Sequence, residues 1–200
     1  MTPERISRFT TVLNNRQPDF TIVLEDVKDP HNIFAAIRSC ESVGMMDVFV
    51  VNTRMVRYKK FGKKSSSSAA LWLNIHEFDS LEACFAELRK RYDKIYATHL
   101  GENAYSLYEM NLTESVALVF GNEQMGVSEE CLKLCDGNFI IPQAGMIKSL
   151  NISVAVAVTL YEGYRQRLVA GLYSGEPRIP QTQWKELATE WGMKDSEMPF

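Results

Sequence analysis

Three small polar clusters in this 200-residue chain stand at the ends of apolar runs. Asn32 and Arg38 follow the apolar stretch Thr21 to Glu25 and the Asp29-Pro30 turn. Asn122 and Glu123 come directly after Leu118-Val119-Phe120, and Ser149 and Asn151 open the apolar tract that runs to Tyr161. Amide, hydroxyl, carboxylate and guanidinium groups of this kind can orient a ligand by hydrogen bonds, bind an anion and manage a proton. Each also has a plainer reading. Asn32 and Ser149 fit helix caps, Asn151 a capping partner, Glu123 a solvated loop charge and Arg38 a surface arginine.

Other chemistries lack their signatures. No GxGxxG follows the first apolar run, Gly121 to Gly126 lacks the Lys-Ser/Thr of a phosphate loop, and no GxSxG elbow is present. His31, His76 and His99 lie at unrelated spacings. Cys40, Cys84, Cys131 and Cys135 are too sparse for a disulfide scaffold and lack CxxC spacing, so they read as semi-buried thiols with no metal implied.

The elements that must position the polar clusters follow from periodicity. Thr2-Pro3-Glu4 opens an amphipathic helix to Asn15, with Ile6, Phe9, Val12 and Leu13 on one face and Arg5, Arg8 and Arg16 on the other. Thr21 to Glu25 reads as a buried strand, Asn32 to Val43 as a helix and Val48 to Val51 as a second strand. That βαβ opening favours a parallel sheet, in which ligands bind beyond the carboxyl ends of the strands. A helix over about Ser80 to Tyr92, strands at 94–98, 117–120 and 139–141, and a short helix from Ser128 continue the rhythm. The tract from Leu150 to Leu168 fits a helix apolar on nearly all sides, which is central to a core or shared with a second subunit. A Gly/Pro linker then leads to a last helix around Trp184 to Trp191.

With 22 basic and 25 acidic residues the net charge is −3, which excludes a polycation of the histone kind. The distribution is uneven: residues 1–70 hold 11 basic and 7 acidic side chains, residues 71–200 hold 11 and 18. Any nucleic-acid face draws on the first third, which includes a basic loop from Arg54 to Lys64 followed by Ser65 to Ser68. No apolar run approaches the roughly 18 residues of a membrane span, and Met1 to Asn15 is no signal peptide, so a cytoplasmic protein is expected.

Asp29-Pro-His-Asn-Ile-Phe-Ala-Ala-Ile-Arg38, Leu118-Val-Phe-Gly-Asn-Glu-Gln-Met-Gly-Val-Ser-Glu-Glu130 and Ile140-Ile-Pro-Gln-Ala-Gly-Met-Ile-Lys-Ser-Leu-Asn-Ile-Ser-Val-Ala155 resemble, in order and spacing, the three motifs of SpoU-type RNA ribose 2′-O-methyltransferases of the SPOUT superfamily. The likeness covers most of the chain and is greatest to the tRNA guanosine branch. It implies an α/β fold with a mostly parallel sheet flanked by helices and a C-terminal deep trefoil knot. The catalytic domain would span 21–171, between helical extensions at 1–20 and 172–200 that serve RNA contact. A homodimer through the knot and the helix after Ser149 is implied as well. The activity implied is transfer of methyl from S-adenosylmethionine to a ribose 2′-hydroxyl, with the D-loop guanosine at tRNA position 18 as target. Alternatives are the wobble nucleotide, ribosomal RNA, or a non-catalytic RNA-binding member of the fold.

Carried over to this sequence, the resemblance places the cofactor at Thr98, Leu100, Gly121, Ile141, Met146, Ser149 and Leu150. Gly121 and Gly145 would let the backbone come close. It gives Arg38 the catalytic role, with Asn32, Glu123, Ser149 and Asn151 shaping the site. A guanidinium acting as a literal base near pH 7 would cost roughly 7 kcal/mol, so stabilising a developing alkoxide explains an arginine at less expense. Arg5, Arg8, Arg16, Arg165, Arg167 and Arg178 are the phosphate-contact candidates. The cationic loop and Lys148, where glutamine is usual, depart from the family pattern.

Overall fold

All six residues of the first strand, Phe20–Glu25 (β1), are buried, as expected of a strand covered on both faces. The computed structural model describes residues 1–54, 68–101, 103–147 and 149–200, and shows what covers it. The basic residues from Arg57 to Lys64, the serines to Ser67, and Lys148 lie outside the described residues.

Among the described residues, β1 joins Asp47–Val51 (β2), Asn74–Phe78 (β3), Lys94–Thr98 (β4), Tyr105–Ser106 (β5), Val116–Phe120 (β6) and Gly137–Ile140 (β7) in one sheet. Its order is β3-β2-β1-β6-β4-β7-β5 and every pairing is parallel. Ile22 sits opposite Val48 on one side and Leu118 on the other. Strand alternation sends Ile22, Leu24, Val48, Val50, Leu118 and Phe120 to one face, against helices Pro30–Ser42 (α2) and Ile152–Val169 (α5). Val23, Phe49, Val51, Ala117 and Val119 go to the other face, against Leu81–Leu88 (α3) and Glu129–Leu134 (α4). The result is a three-layer α/β/α architecture.

Two strands escaped the sequence. β3 carries polar Asn74, His76 and Glu77 and lies at the sheet edge, so it shows no apolar run; β5 has only two residues. The terminal helices Pro3–Asn14 (α1) and Gln181–Glu190 (α6) build a third cluster from Phe9, Leu13, Trp184 and Ala188, edged by Trp72 and Trp191. Thr2 caps α1, its hydroxyl accepting from the Arg5 N–H, and Pro3 occupies the first turn, where a missing N–H costs nothing.

α2 and α5 lie side by side and parallel: Asn151 reaches Asn32 at their amino ends, and Tyr161 meets Ser42 further along. Close approach of α5 to β1 requires glycine, since a Cβ on Gly163 would stand 2.5 Å from the Phe20 ring. The all-round apolar helix is only half covered. Val154, Tyr161 and Leu168, seven residues apart, form a stripe 46%, 54% and 50% exposed.

Candidate active site

β4, β6 and β7 end at Thr98, Phe120 and Ile140, and the chain leaves each of them on the same edge of the sheet. The segments that follow enclose, with the start of α5, a cavity of about 580 Å³. Phe120, Phe139, Ile141 and Leu150 give it apolar walls, while Gln143, Ser149 and Asn151 give it polar corners.

One wall is a turn whose sequence leaves little freedom. Asn122 Oδ1 accepts from the Gln124 and Met125 N–H groups at 2.9 and 3.1 Å, and the Gly126 N–H closes on the Asn122 carbonyl at 2.9 Å. Gly126 has φ +70°, and a Cβ on Gly121 would lie 2.2 Å from the Val127 nitrogen. Gly121 is therefore required by the turn itself, whatever binds beside it.

Glu123 rides on that turn and holds three donors: the Lys28 and Asp29 N–H groups at 3.1 and 3.2 Å and Asn32 Nδ2 at 2.9 Å. Asn32 Oδ1 in turn accepts from Asn151 Nδ2 at 3.1 Å, and Asn151 Oδ1 accepts from the Ser153 N–H and hydroxyl at 2.9 and 2.6 Å. Partial burial works to raise the Glu123 carboxyl's pKa, but hydrogen bonds from Asn32, Lys28 and Asp29 outweigh it and hold it below the usual glutamate value. One ionised carboxylate thus links all three polar clusters.

The same geometry assigns the helix caps. Asp29 caps α2 by accepting from the His31 N–H, which leaves Asn32 free for the network. Asn151 caps α5 and joins the network as well, so Ser149 is not the cap. Ser149 lines the cavity and its hydroxyl has no hydrogen bond to a described residue.

Of the residues assigned to the cofactor, Thr98, Leu100, Gly121, Ile141, Ser149 and Leu150 line the cavity. The Thr98 hydroxyl is turned to the Val119 carbonyl, joining β4 to β6. Met146 stands apart from these residues in the single chain, 98% exposed and not part of the lining. Gly145 likewise has nothing within 4 Å of a Cβ, so close approach does not explain it there. Arg38 is exposed, does not line the cavity and has no ion pair with a described residue. It lies six residues beyond Asn32, about 9 Å along the helix and on a different face.

The arginines divide. Arg5 and Arg8 are exposed on α1, and Arg165 is exposed while paired with Glu162 at 2.7 Å. Arg16 and Arg167 are 1% and 0% exposed and are corrected from phosphate contacts to buried supports. Arg16 donates to the Met45 and Trp72 carbonyls, and burial lowers its pKa to about 10 despite Glu41 and Asp47. Arg167 donates to the Leu112 and Glu114 carbonyls, Gln17 and Asp19. Arg178 is bound through both terminal nitrogens to Asp19, at 2.8 and 2.6 Å, and so is likewise no free cation. His99 and Gln143, absent from the residues the resemblance assigns, also line the cavity. Their position just after β4 and β7 was the signal available.

Comparison with known proteins bears on the same segments. The profile described as the SpoU rRNA Methylase family matches residues 19–161. The tRNA (guanosine(18)-2′-O)-methyltransferase of Thermus thermophilus is 40% identical over 190 residues, covering 95% of this chain and 96% of that protein. The crystal structure of the A. aeolicus TrmH/SpoU tRNA modifying enzyme superposes with a TM-score of 0.82 at 32% identity, over 96% of this chain and 98% of that one. The SpoU methyltransferase AviRb from Streptomyces viridochromogenes, in complex with the cofactor AdoMet, gives a TM-score of 0.66 at 25% identity, over 84% of this chain and 65% of that one.

Proposed function

The chain belongs to the SpoU rRNA methylase family, and from that membership we propose that it methylates a ribose 2′-hydroxyl of tRNA, at guanosine 18, from S-adenosylmethionine. The observation that carries the proposal is the Glu123–Asn32–Asn151 network at the rim of an apolar-walled cavity. The residues present suit the cofactor: Ile141 and Leu150 can flank a purine above the buried Phe120 and Phe139, and the backbone after Thr98 and around Gly121 offers polar groups at the edge. When bound, the cofactor supplies a methyl group already activated on a sulfonium.

What remains for the protein is placement and one proton. Asn32 and Asn151, locked by Glu123 and by the cap bonds that Asn151 accepts from Ser153, have their positions fixed before substrate arrives. Ser149, whose hydroxyl has no partner among the described residues, presents it at the cavity edge to the ribose. Arg38 binds the RNA phosphate and stabilises the alkoxide as the 2′-hydroxyl loses its proton. Within one chain Arg38 does not meet the cavity, and this bears on assembly. On α2 it shares a face with Ser42, four residues on, and Ser42 borders the exposed Tyr161 of α5. We therefore propose a homodimer through the Val154–Tyr161–Leu168 stripe, which brings Arg38 to a cleft of the partner. Tyr161→Glu is expected to yield a monomer in sedimentation; an unchanged mass would refute the interface.

The domain assignment belongs to the same proposal: a knotted catalytic unit over 21–171 and tRNA-binding extensions at 1–20 and 172–200. Insertion of β7 between β4 and β5 before the chain returns to α5, beside α2, supports threading. The test is incubation with labelled S-adenosylmethionine and total tRNA, followed by mapping of the modified nucleotide. A 2′-O-methyl group at guanosine 18 is expected. Methylation of a base atom refutes the reading, and modification confined to the anticodon loop favours the wobble alternative.

A further inference from the structure

Asp26 ends β1 in a left-handed conformation, φ +50°, which L residues other than Asn and Asp seldom hold unless their surroundings fix it. It is 5% exposed, and every polar group it carries is engaged. Its N–H donates to the Val51 carbonyl at 2.9 Å. One carboxylate oxygen accepts from the Thr53 and Arg54 N–H groups at 2.8 and 3.1 Å, and the other from the Thr53 hydroxyl at 2.8 Å. Its carbonyl accepts from Asn122 Nδ2, also at 2.8 Å. A single residue therefore ties together the carboxyl ends of β2, β1 and β6, which are neighbours in the sheet.

The two sides of Asp26 lead to different places. Its carbonyl holds the amide of Asn122, whose oxygen shapes the turn that carries Glu123. Its carboxylate holds the backbone of Thr53 and Arg54, and so fixes where the Arg54 side chain leaves the chain; Arg54 lines a small cavity of about 90 Å³ beside the Asn122 turn, and its exposed guanidinium lies 3.2 Å from Glu130. Resting on the methyl-transfer reading, we infer that Asp26 is a positioning residue with two separable arms. The backbone arm sets Glu123 for the transfer step, and the carboxylate arm sets Arg54 for the RNA backbone.

Three substitutions separate the arms. Asp26→Gly keeps the left-handed backbone and deletes the carboxylate, so the tRNA KM should rise about tenfold while kcat changes less than about twofold and cofactor affinity holds. Asp26→Asn tolerates the same φ and keeps an acceptor for both N–H groups, so it should restore the tRNA KM to within about twofold of the parent. Asp26→Val cannot hold the conformation and should lower kcat as well. A readout independent of turnover is amide exchange: Asp26→Gly should expose the Thr53 and Arg54 amides while Gln124 and Met125 stay protected. An unchanged tRNA KM in Asp26→Gly, failure of Asn to rescue, or loss of all four protections together would overturn the inference. Should the parent protein bind tRNA without methylating it, the transfer reading fails, and direct tRNA binding with exchange still decides the carboxylate arm; with no tRNA binding, both fail.

Discussion

Two polar networks sit at opposite ends of the same strands and are built to different ends. At the amino end of β1, Asp19 accepts from Arg167 at 2.6 Å and from Arg178 at 2.6 Å, while Arg167 spans two carbonyls and Gln17 and lies 4.5 Å over the Phe20 ring. Burial would raise the Asp19 carboxyl's pKa, yet the two guanidinium groups hold it below the usual aspartate value. At the carboxyl end, Glu123, Asn32 and Asn151 stand at the edge of a cavity, next to a serine hydroxyl with no partner among the described residues. The first network is saturated from within the chain. The second opens on a cavity and stands beside that hydroxyl, the arrangement we propose as the ligand site.

The sharpest way to break this contrast is to remove Arg167. Arg167→Met leaves Asp19 partly buried against a single arginine and frees two carbonyls, so unfolding free energy in urea should fall by about 3–5 kcal/mol. Should the variant not fold, Arg167→Lys keeps the charge without the fork and should show an intermediate loss. A change under about 1 kcal/mol would mean the amino-end network is not structural.

Arg38 should behave in the opposite way. Arg38→Ala removes no bond to a described residue, so the thermal midpoint and cofactor affinity should hold while turnover drops by about 10² to 10³. Lost cofactor affinity with normal single-turnover chemistry would contradict its placement on the RNA side.

Glu123→Gln tests the carboxyl-end network from inside. The amide keeps one acceptor for Asn32 or the turn amides but not the full set, which corresponds to about 1.5–3 kcal/mol and a tenfold to hundredfold fall in kcat/KM. The pH dependence has a definite sign. Because the folded carboxyl is depressed, its hydrogen bonds are intact above the ordinary glutamate pKa and are lost as pH falls through the lower folded value. The acid limb of the pH–rate profile due to Glu123 should therefore lie below pH ~4.3 and vanish in the glutamine variant.

The contrast also explains which features could be read from residues alone. β1, β2, β4, β6 and β7 are apolar runs broken by polar residues, so both strands and cleft were visible in the same pattern. The edge strand β3 has no such pattern, since solvent replaces a covering layer. Arg167 read as a surface cation because its partners, Asp19, Leu112 and Glu114, lie 148, 55 and 53 residues away, and spacing carries no trace of them. Arg16 failed for the same reason, with Met45 and Trp72 brought to it only by folding. Asn32 could not be separated from a cap until Asp29 was seen to hold that role.

The smallest expected effect belongs to the arginines that neither network uses. Arg5 and Arg8 lie exposed on α1, and Arg5 stacks over Phe9 at 5.2 Å, which leaves its charge at the surface. If they contact tRNA phosphates, each replacement by alanine removes one counterion-release event and no buried contact. The double variant should lower the slope of log affinity against log salt by roughly 1.4 to 1.8, with kcat at saturating tRNA close to the parent's. Arg167 substitution should leave that slope unaltered in whatever fraction stays folded, because a buried guanidinium releases no counterions. An equal change of slope at both places would erase the distinction between arginines that hold the chain and arginines that meet RNA.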